Sequence, residues 1–405
     1  MSVVKYGISL TKHGLLLNLI LSFVFYTSYF VFSLYIPRQF ITAIDTRLVV
    51  QALFNFVVVT TLIVASFFIH RIDKLRAIYA FSLVTSVFAV LLFFVPVDIF
   101  RIVCLFVIAI FFSIGQLAFL MYFWNLTVPE ERGRVAGLIG FVSLLFYLVI
   151  YTGVAETLDF PRAVLLGTVL SSGALVIILL RPKKVVLTAK KDELRNYPEK
   201  RTILLYIIPW ILFCLINATL AKNISFHISQ QVPASSYLLL AVLQVIGTIF
   251  GTLSGGVTGD FFGRRVSLAF SLTLYGISSA LAGIANNYTL LYFVYFANGL
   301  SWGVLLVMYS FVIWGDLANK KNCAKMYALG FIIFYATQGI GLFPLEQIFQ
   351  IPLVVSSLAS CLLIFLANAP IFLAPELLPS GFREKIRLKW HMSAVKKIRR
   401  SQNQG

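Results

Sequence analysis

The chain of 405 residues is 60% hydrophobic and 15% aromatic, and only 12% of it is charged. Soluble domains carry about 25% charged residues, so this balance, with a mean hydropathy of +0.93, excludes a soluble enzyme, a disordered tail and a disulfide-rich secreted scaffold together. The formal charge of +18 calls for an acidic partner or a topological explanation.

Charge-free apolar stretches follow one another at 14–37, 48–69, 77–97, 102–124, 135–155 and 163–180. A second set runs at 202–221, 235–258, 266–285, 288–314, 326–345 and 351–374. About 20 residues at 1.5 Å rise cross a hydrocarbon core of ~30 Å, and a helix satisfies every backbone polar group within one segment. The pattern predicts an all-α integral membrane protein with twelve transmembrane helices. Lys5 and Lys12 precede the first stretch, but its 24 residues exceed a signal-peptide core of about 7–15, so it reads as the first span. Cys104, Cys214, Cys323 and Cys361 lie far apart in or beside apolar runs. That spacing predicts neither a metal nor a redox pair, and no cofactor is expected.

Loops on one side of these spans hold 28 of the 33 Lys and Arg residues, and the opposite loops hold five, with Lys222 counted among them. Positive charge collects on the cytoplasmic side of membrane proteins, which places both termini and the 181–201 loop in the cytoplasm of a plasma-membrane protein. Anionic inner-leaflet lipid then accounts for the basic excess, and no nucleic acid is needed. Span starts in the two sets differ by 186–191 residues. Local matches agree: Ala80–Leu83 recurs as Ala269–Leu272, Trp124 as Trp314, and Gly140-Phe141 as Gly330-Phe331. A six-span unit used twice is a transporter design. The expected divisions are a first half over 1–181, a linker over 182–201, a second half over 202–375 and a basic tail over 376–405.

The sharpest motif follows the eighth stretch: Gly256, Asp260, Gly263, Arg264 and Arg265 within ten residues. Glycines allow a tight turn and close backbone approach. Asp260 suits a neighbouring helix N-terminus, and the two arginines supply paired donors. This loop resembles the G-x-x-x-D-x-x-G-R-[KR] signature of the major facilitator superfamily, and the six-plus-six layout extends the resemblance over nearly the whole chain. The resemblance implies that the loop holds the cytoplasmic ends of two halves together in one conformation and releases them in the other. Its first-half counterpart is eroded, with Arg71 at the aspartate position and only Arg76 matching Arg265. Gating there is expected to use other groups, among them His70, Arg71 and Asp73. Pro129 to Arg134, with Arg132, Gly133 and Arg134, is similar to a turn of the superfamily's sugar-porter branch, and Ala374-Pro375-Glu376 followed by Pro379 resembles the acidic proline segment that ends that branch. Asp316 takes the corresponding acidic position in the second half.

Polar residues inside the spans bear on cargo. Tyr295, Asn298, Trp302 and Tyr309 fall within about 60° of one another on a helix at ~100° per residue. Asn18, Tyr26 and Tyr29 share a face of the first span, and Gln116, Asn217, Gln244 and Gln338 are further candidates. Aromatic faces with amides and hydroxyls suit a neutral, polyhydroxylated solute, although the same residues serve helix–helix hydrogen bonding. The resemblance implies a cargo path between the halves, lined by spans 1, 4, 7 and 10. The leading expectation is a monomeric alternating-access transporter of a small, sugar-like solute. The runner-up is an exporter of organic ions or amphipathic drugs. A membrane scaffold or intramembrane enzyme is the remote alternative, because no Asp or Glu falls within a span and catalysis there would need such groups.

Overall fold

The computed structural model describes residues 12–37, 41, 43–94, 97–153, 199–285, 287–343 and 351–379, with five isolated residues between 165 and 172. Most of the expected sixth span, most of the linker and the basic tail beyond 379 lie outside the described residues. What is described is helical. In chain order the helices are α1 (Lys12–Phe30), α2 (Ile44–Phe68), α3 (Lys74–Phe94), α4 (Asp98–Leu126) and α5 (Arg132–Gly153). They continue as α6 (Lys200–Ala218), α7 (Leu220–Gln231), α8 (Ala234–Phe261), α9 (Arg264–Ile284) and α10 (Tyr288–Val307). The last three are α11 (Ile313–Leu317), α12 (Cys323–Gly341) and α13 (Leu353–Leu373). One π-helical turn, Val31–Tyr35, prolongs α1, and another, Met308–Val312, joins α10 to α11. Among the described residues, nine helical segments are long and apolar enough to cross a membrane.

The apolar residues divide between two environments. Val64, Phe67, Phe94, Phe270, Leu362 and Leu373 are each more than half exposed. On a soluble protein such patches would drive association, whereas lipid covers them at no cost. Inside, Phe25 stacks on Phe81 at 4.6 Å and on Phe119 at 5.5 Å, binding α1, α3 and α4 into one core.

Helix α8 is the spine of the described structure, and its sequence explains why. Gly247, Gly251 and Gly255 recur every four residues, so they share one helix face. A Cβ at Gly251 would overlap the Leu300 carbonyl, and one at Gly255 would lie 2.8 Å from Val304 Cα. The stripe therefore seats α8 directly on the α10 backbone, where dispersion rather than water drives the contact. Thr252, Gly256 and Asp260, also four apart, form a second stripe about 100° away. That stripe meets α5: Thr252 O lies 2.7 Å from where a Gly137 Cβ would stand.

One boundary differs from the sequence reading. The seventh stretch was expected to end at 221, with Lys222 in a loop. Instead the chain breaks only at Thr219 (φ −118°, ψ −78°) and resumes as α7 through Gln231. Lys222 does not end the span because its ammonium is used within it. Nζ donates to Gly341 O at 2.5 Å, at the last turn of α12, where unpaired carbonyls favour a cation.

Candidate substrate site and gate

A buried cluster of charges closes one end of the bundle. Arg264, fully buried, donates through Nη1 to Asp260 Oδ1 (2.5 Å), through Nε to Asp316 Oδ2 (2.9 Å) and through Nη2 to the Pro129 carbonyl (2.5 Å). Arg132 donates to the other Asp316 oxygen at 2.5 Å. Asp260 also receives the first backbone N–H groups of α5, from Gly133 at 3.0 Å and Arg134 at 2.8 Å, and the Arg134 guanidinium at 3.1 Å. The free N–H groups of a helix N-terminus and its dipole favour a carboxylate there. Trp124 Nε1 adds a bond to Gly315 O at 2.9 Å. Each of these links except Arg264 with Asp260 and with Asp316 ties helices α1–α5 to helices α6–α13. Buried ions survive only when paired and hydrogen-bonded on all sides, and here five charges share one network.

Two further details hold the cluster in shape. Gly263 has φ +113°, a left-handed conformation that costs a side chain strain. It lets the turn between α8 and α9 present Asp260 and Arg264 to each other. Glu376 then caps α9, accepting the backbone N–H of Arg264 at 2.8 Å and of Arg265 at 3.2 Å, while Arg265 reaches Ala374 O at 3.4 Å. Of the first-half groups expected to contribute to gating, Arg71, Asp73 and Arg76 lie outside this cluster. All three are exposed, and Asp73 accepts the Leu75 N–H at the start of α3. The reason is positional: their turn ends at the surface beside α3, whereas Arg132 and Arg134 sit where α5 crosses α8.

Away from the cluster, two cavities adjoin. One, of about 180 Å³, is lined by Asn217, Lys222, Gln244, Tyr275, Tyr295 and Asn298, with Ser225, Ser278 and Ser279. Here Asn217 Oδ1 accepts from Trp302 Nε1 (2.9 Å) and from Tyr275 (3.3 Å). Two donors on its oxygen leave the Asn217 amide N–H groups for a ligand. Gln244 Nε2 donates to Asn298 Oδ1 at 3.0 Å, which leaves the Gln244 oxygen as acceptor. The other cavity, of about 100 Å³, lies between the N-terminal and C-terminal helices. Its walls are the rings of Tyr26, Tyr29, Trp210, Trp302, Tyr309, Phe334 and Tyr335, with Phe331 and Ser310. Trp210 stacks on Tyr309 at 4.4 Å, and Tyr29 lies 5.1 Å from Tyr335.

The structure thus brings Asn217, Gln244, Tyr295 and Asn298 to the first cavity and Tyr26, Tyr29 and Tyr309 to the second, with Trp302 between them. Gln116 stands behind the second, accepting from the Tyr335 hydroxyl at 3.0 Å. Asn18 and Gln338 line neither, and Asn18 bonds to Gly14 O in its own helix at 2.8 Å. Sequence reading missed Trp210, Tyr275, Phe334 and Tyr335. A count of Trp and Tyr at mid-span depth in every stretch would have found three of these four, because such residues away from the interfaces are unusual.

Comparison with known proteins places this geometry. Residues 210–374 match the family model described as sugar (and other) transporter. No curated protein matches the chain by sequence. Among solved structures, the major facilitator superfamily transporter FucP in its outward conformation superposes with a TM-score of 0.66 at 13% identity, over 89% of this chain and 98% of that one. The proton:xylose symporter XylE, bound to 6-bromo-6-deoxy-D-glucose, gives 0.65 at 12% identity over 90% and 96%. A further structure of the E. coli fucose:proton symporter FucP gives 0.63 at 12% over 89% and 98%. The resemblance carried by the Gly256–Arg265 loop therefore extends to the architecture: the chain shares the fold of these transporter structures, and residues 210–374 match the sugar-transporter family model.

Proposed function

We propose that the chain is an alternating-access transporter of a small, sugar-like solute, built from a first half over 1–181 and a second over 202–375. The observation that carries this reading is a cavity of amides and hydroxyls beside a space between the N-terminal and C-terminal helices, with a buried ion network at one end. Binding between halves that rock about the site is the mechanism such folds support. The basic excess argues that the Asp260 end is cytoplasmic, so the described state is closed inward. The aromatic cavity also suits an amphipathic drug-like solute, but the Asn217, Gln244 and Asn298 amides favour a hydroxylated one.

No residue lining either cavity is Asp, Glu or His, and the one ionisable amine there, Lys222, donates to Gly341 O. Proton coupling needs a group in the path whose pKa moves as the site opens, so facilitated diffusion or exchange is the expected mode. The test is uptake of a panel of labelled monosaccharides into vesicles containing the purified chain. At least one sugar should equilibrate, an imposed pH gradient without membrane potential should not concentrate it, and Gln244→Leu should slow uptake about tenfold through a lost polar contact. Absence of counterflow with every sugar would overturn the sugar reading.

The topology carries its own expectation. Reporters after Gly405 and near Ala189 should both be cytoplasmic, and one near Ser229, on α7, should be outside. Finding Ala189 and Ser229 on the same side would sink the arrangement.

A further inference from the structure

The two cavities differ in chemistry, and a hydrogen bond links the lining of one to the lining of the other. Trp302 presents its ring to the aromatic cavity, and its N–H is bonded to Asn217 of the polar one. Two of the four tyrosines lining the aromatic cavity commit their hydroxyls elsewhere: Tyr29 donates to Asn55 at 2.8 Å and Tyr335 to Gln116 at 3.0 Å. What faces inward is ring surface. Water needs two to four polar partners to be held in a cavity, and this one supplies almost none, so an apolar occupant gains most there. In the polar cavity the reverse holds, because its amides are fixed by their own bonds with donor and acceptor capacity to spare.

Resting on the sugar-like reading above, we propose that the cargo is an amphipathic glycoside. Its hydroxylated ring sits against Asn217, Gln244 and Asn298, and an aromatic or comparably flat apolar aglycone sits among Trp210, Trp302, Tyr309 and Phe334. The volumes agree with that division, the polar cavity of about 180 Å³ being the larger and the aromatic one of about 100 Å³ holding a single ring system. Trp302 is the specificity-determining residue, since its ring lines the aromatic cavity and its N–H holds Asn217 of the polar one.

The test is equilibrium binding to the purified full chain of phenyl and methyl β-glycosides of glucose, galactose and xylose, with phenol as a third arm. For the best sugar, the phenyl glycoside should bind at least tenfold tighter than the methyl glycoside. In Phe334→Ala that ratio should fall below threefold, and in Phe334→Tyr it should be kept. Thermal unfolding reports that each variant is folded, and Phe331→Leu replaces Phe334→Ala if the latter is not. Equal affinity for phenyl and methyl glycosides would overturn the proposal and leave the sugar reading standing. Phenol binding as tightly as the phenyl glycoside would also overturn it, by showing that the sugar contributes nothing. If no glycoside of either kind binds, the sugar reading falls and the proposal falls with it.

Discussion

Asp260→Ala should open the Asp260 end of the protein while leaving it folded. Four donors converge on this carboxylate: two α5 backbone N–H groups, Arg134 and Arg264. Removing it leaves the fully buried Arg264 with only Asp316 and the Pro129 carbonyl. Breaking a buried pair from one side costs about 3–5 kcal/mol, because the other charge is left uncompensated. Opening that end admits water to Arg264, so the cost falls on the closed state alone. The closed-to-open ratio should drop by about two to four orders of magnitude. Asp260→Asn keeps one acceptor oxygen and should shift it less. The measurement is the labelling rate of Thr252→Cys, in a chain whose four native cysteines are replaced by alanine, with a membrane-impermeant maleimide applied from the Asp260 side. Thr252 is fully buried between α5 and α8, so only opening exposes it. A rate equal to that of the parent in both variants would show that the cluster is not the latch.

Gly256→Val should produce the same opening without touching a charge. A Cβ at Gly256 would overlap the Gly133 carbonyl and stand 2.9 Å from Gly137 Cα. Both obstacles are α5 backbone, which no rotamer change can clear. In an isolated helix, replacing Gly is favourable by a few tenths of a kcal/mol or more, so propensity predicts stabilisation. Packing predicts the opposite sign, with overpacking costing about 1–3 kcal/mol, which becomes a shift of roughly five- to 150-fold toward the open state. The same Thr252→Cys labelling reads it, and vesicle uptake should fall as the closed state is lost. Gly256→Ala, with only one atom added, should lie between. If Gly256→Val labels and transports like the parent, the close crossing of α5 and α8 is not part of the cycle.

The described helices and the Gly256–Arg265 turn were legible in the chain because their causes are local. A run of apolar residues long enough to span a bilayer has no other way to satisfy its backbone than a helix, and this needs no partner. The Gly256, Asp260, Gly263, Arg264 and Arg265 spacing was equally local, since a positive φ at Gly263 and an Arg four residues from Asp260 are properties of one turn. Which groups complete the network was not local. Asp316 and Arg132 lie 184 residues apart, and nothing in either segment names the other as its partner. The end of the seventh span was misplaced for the same reason: Lys222 reads as a loop residue until the α12 C-terminus stands beside it. The candidate site divided likewise. Periodicity put Asn298 and Trp302 on one face, but only packing turned that face into two cavities. Hydrogen bonds to Asn217 from Tyr275 and Trp302, on two other helices, decide which amide atoms remain for a ligand, and such bonds depend on how helices far apart in sequence are laid against one another.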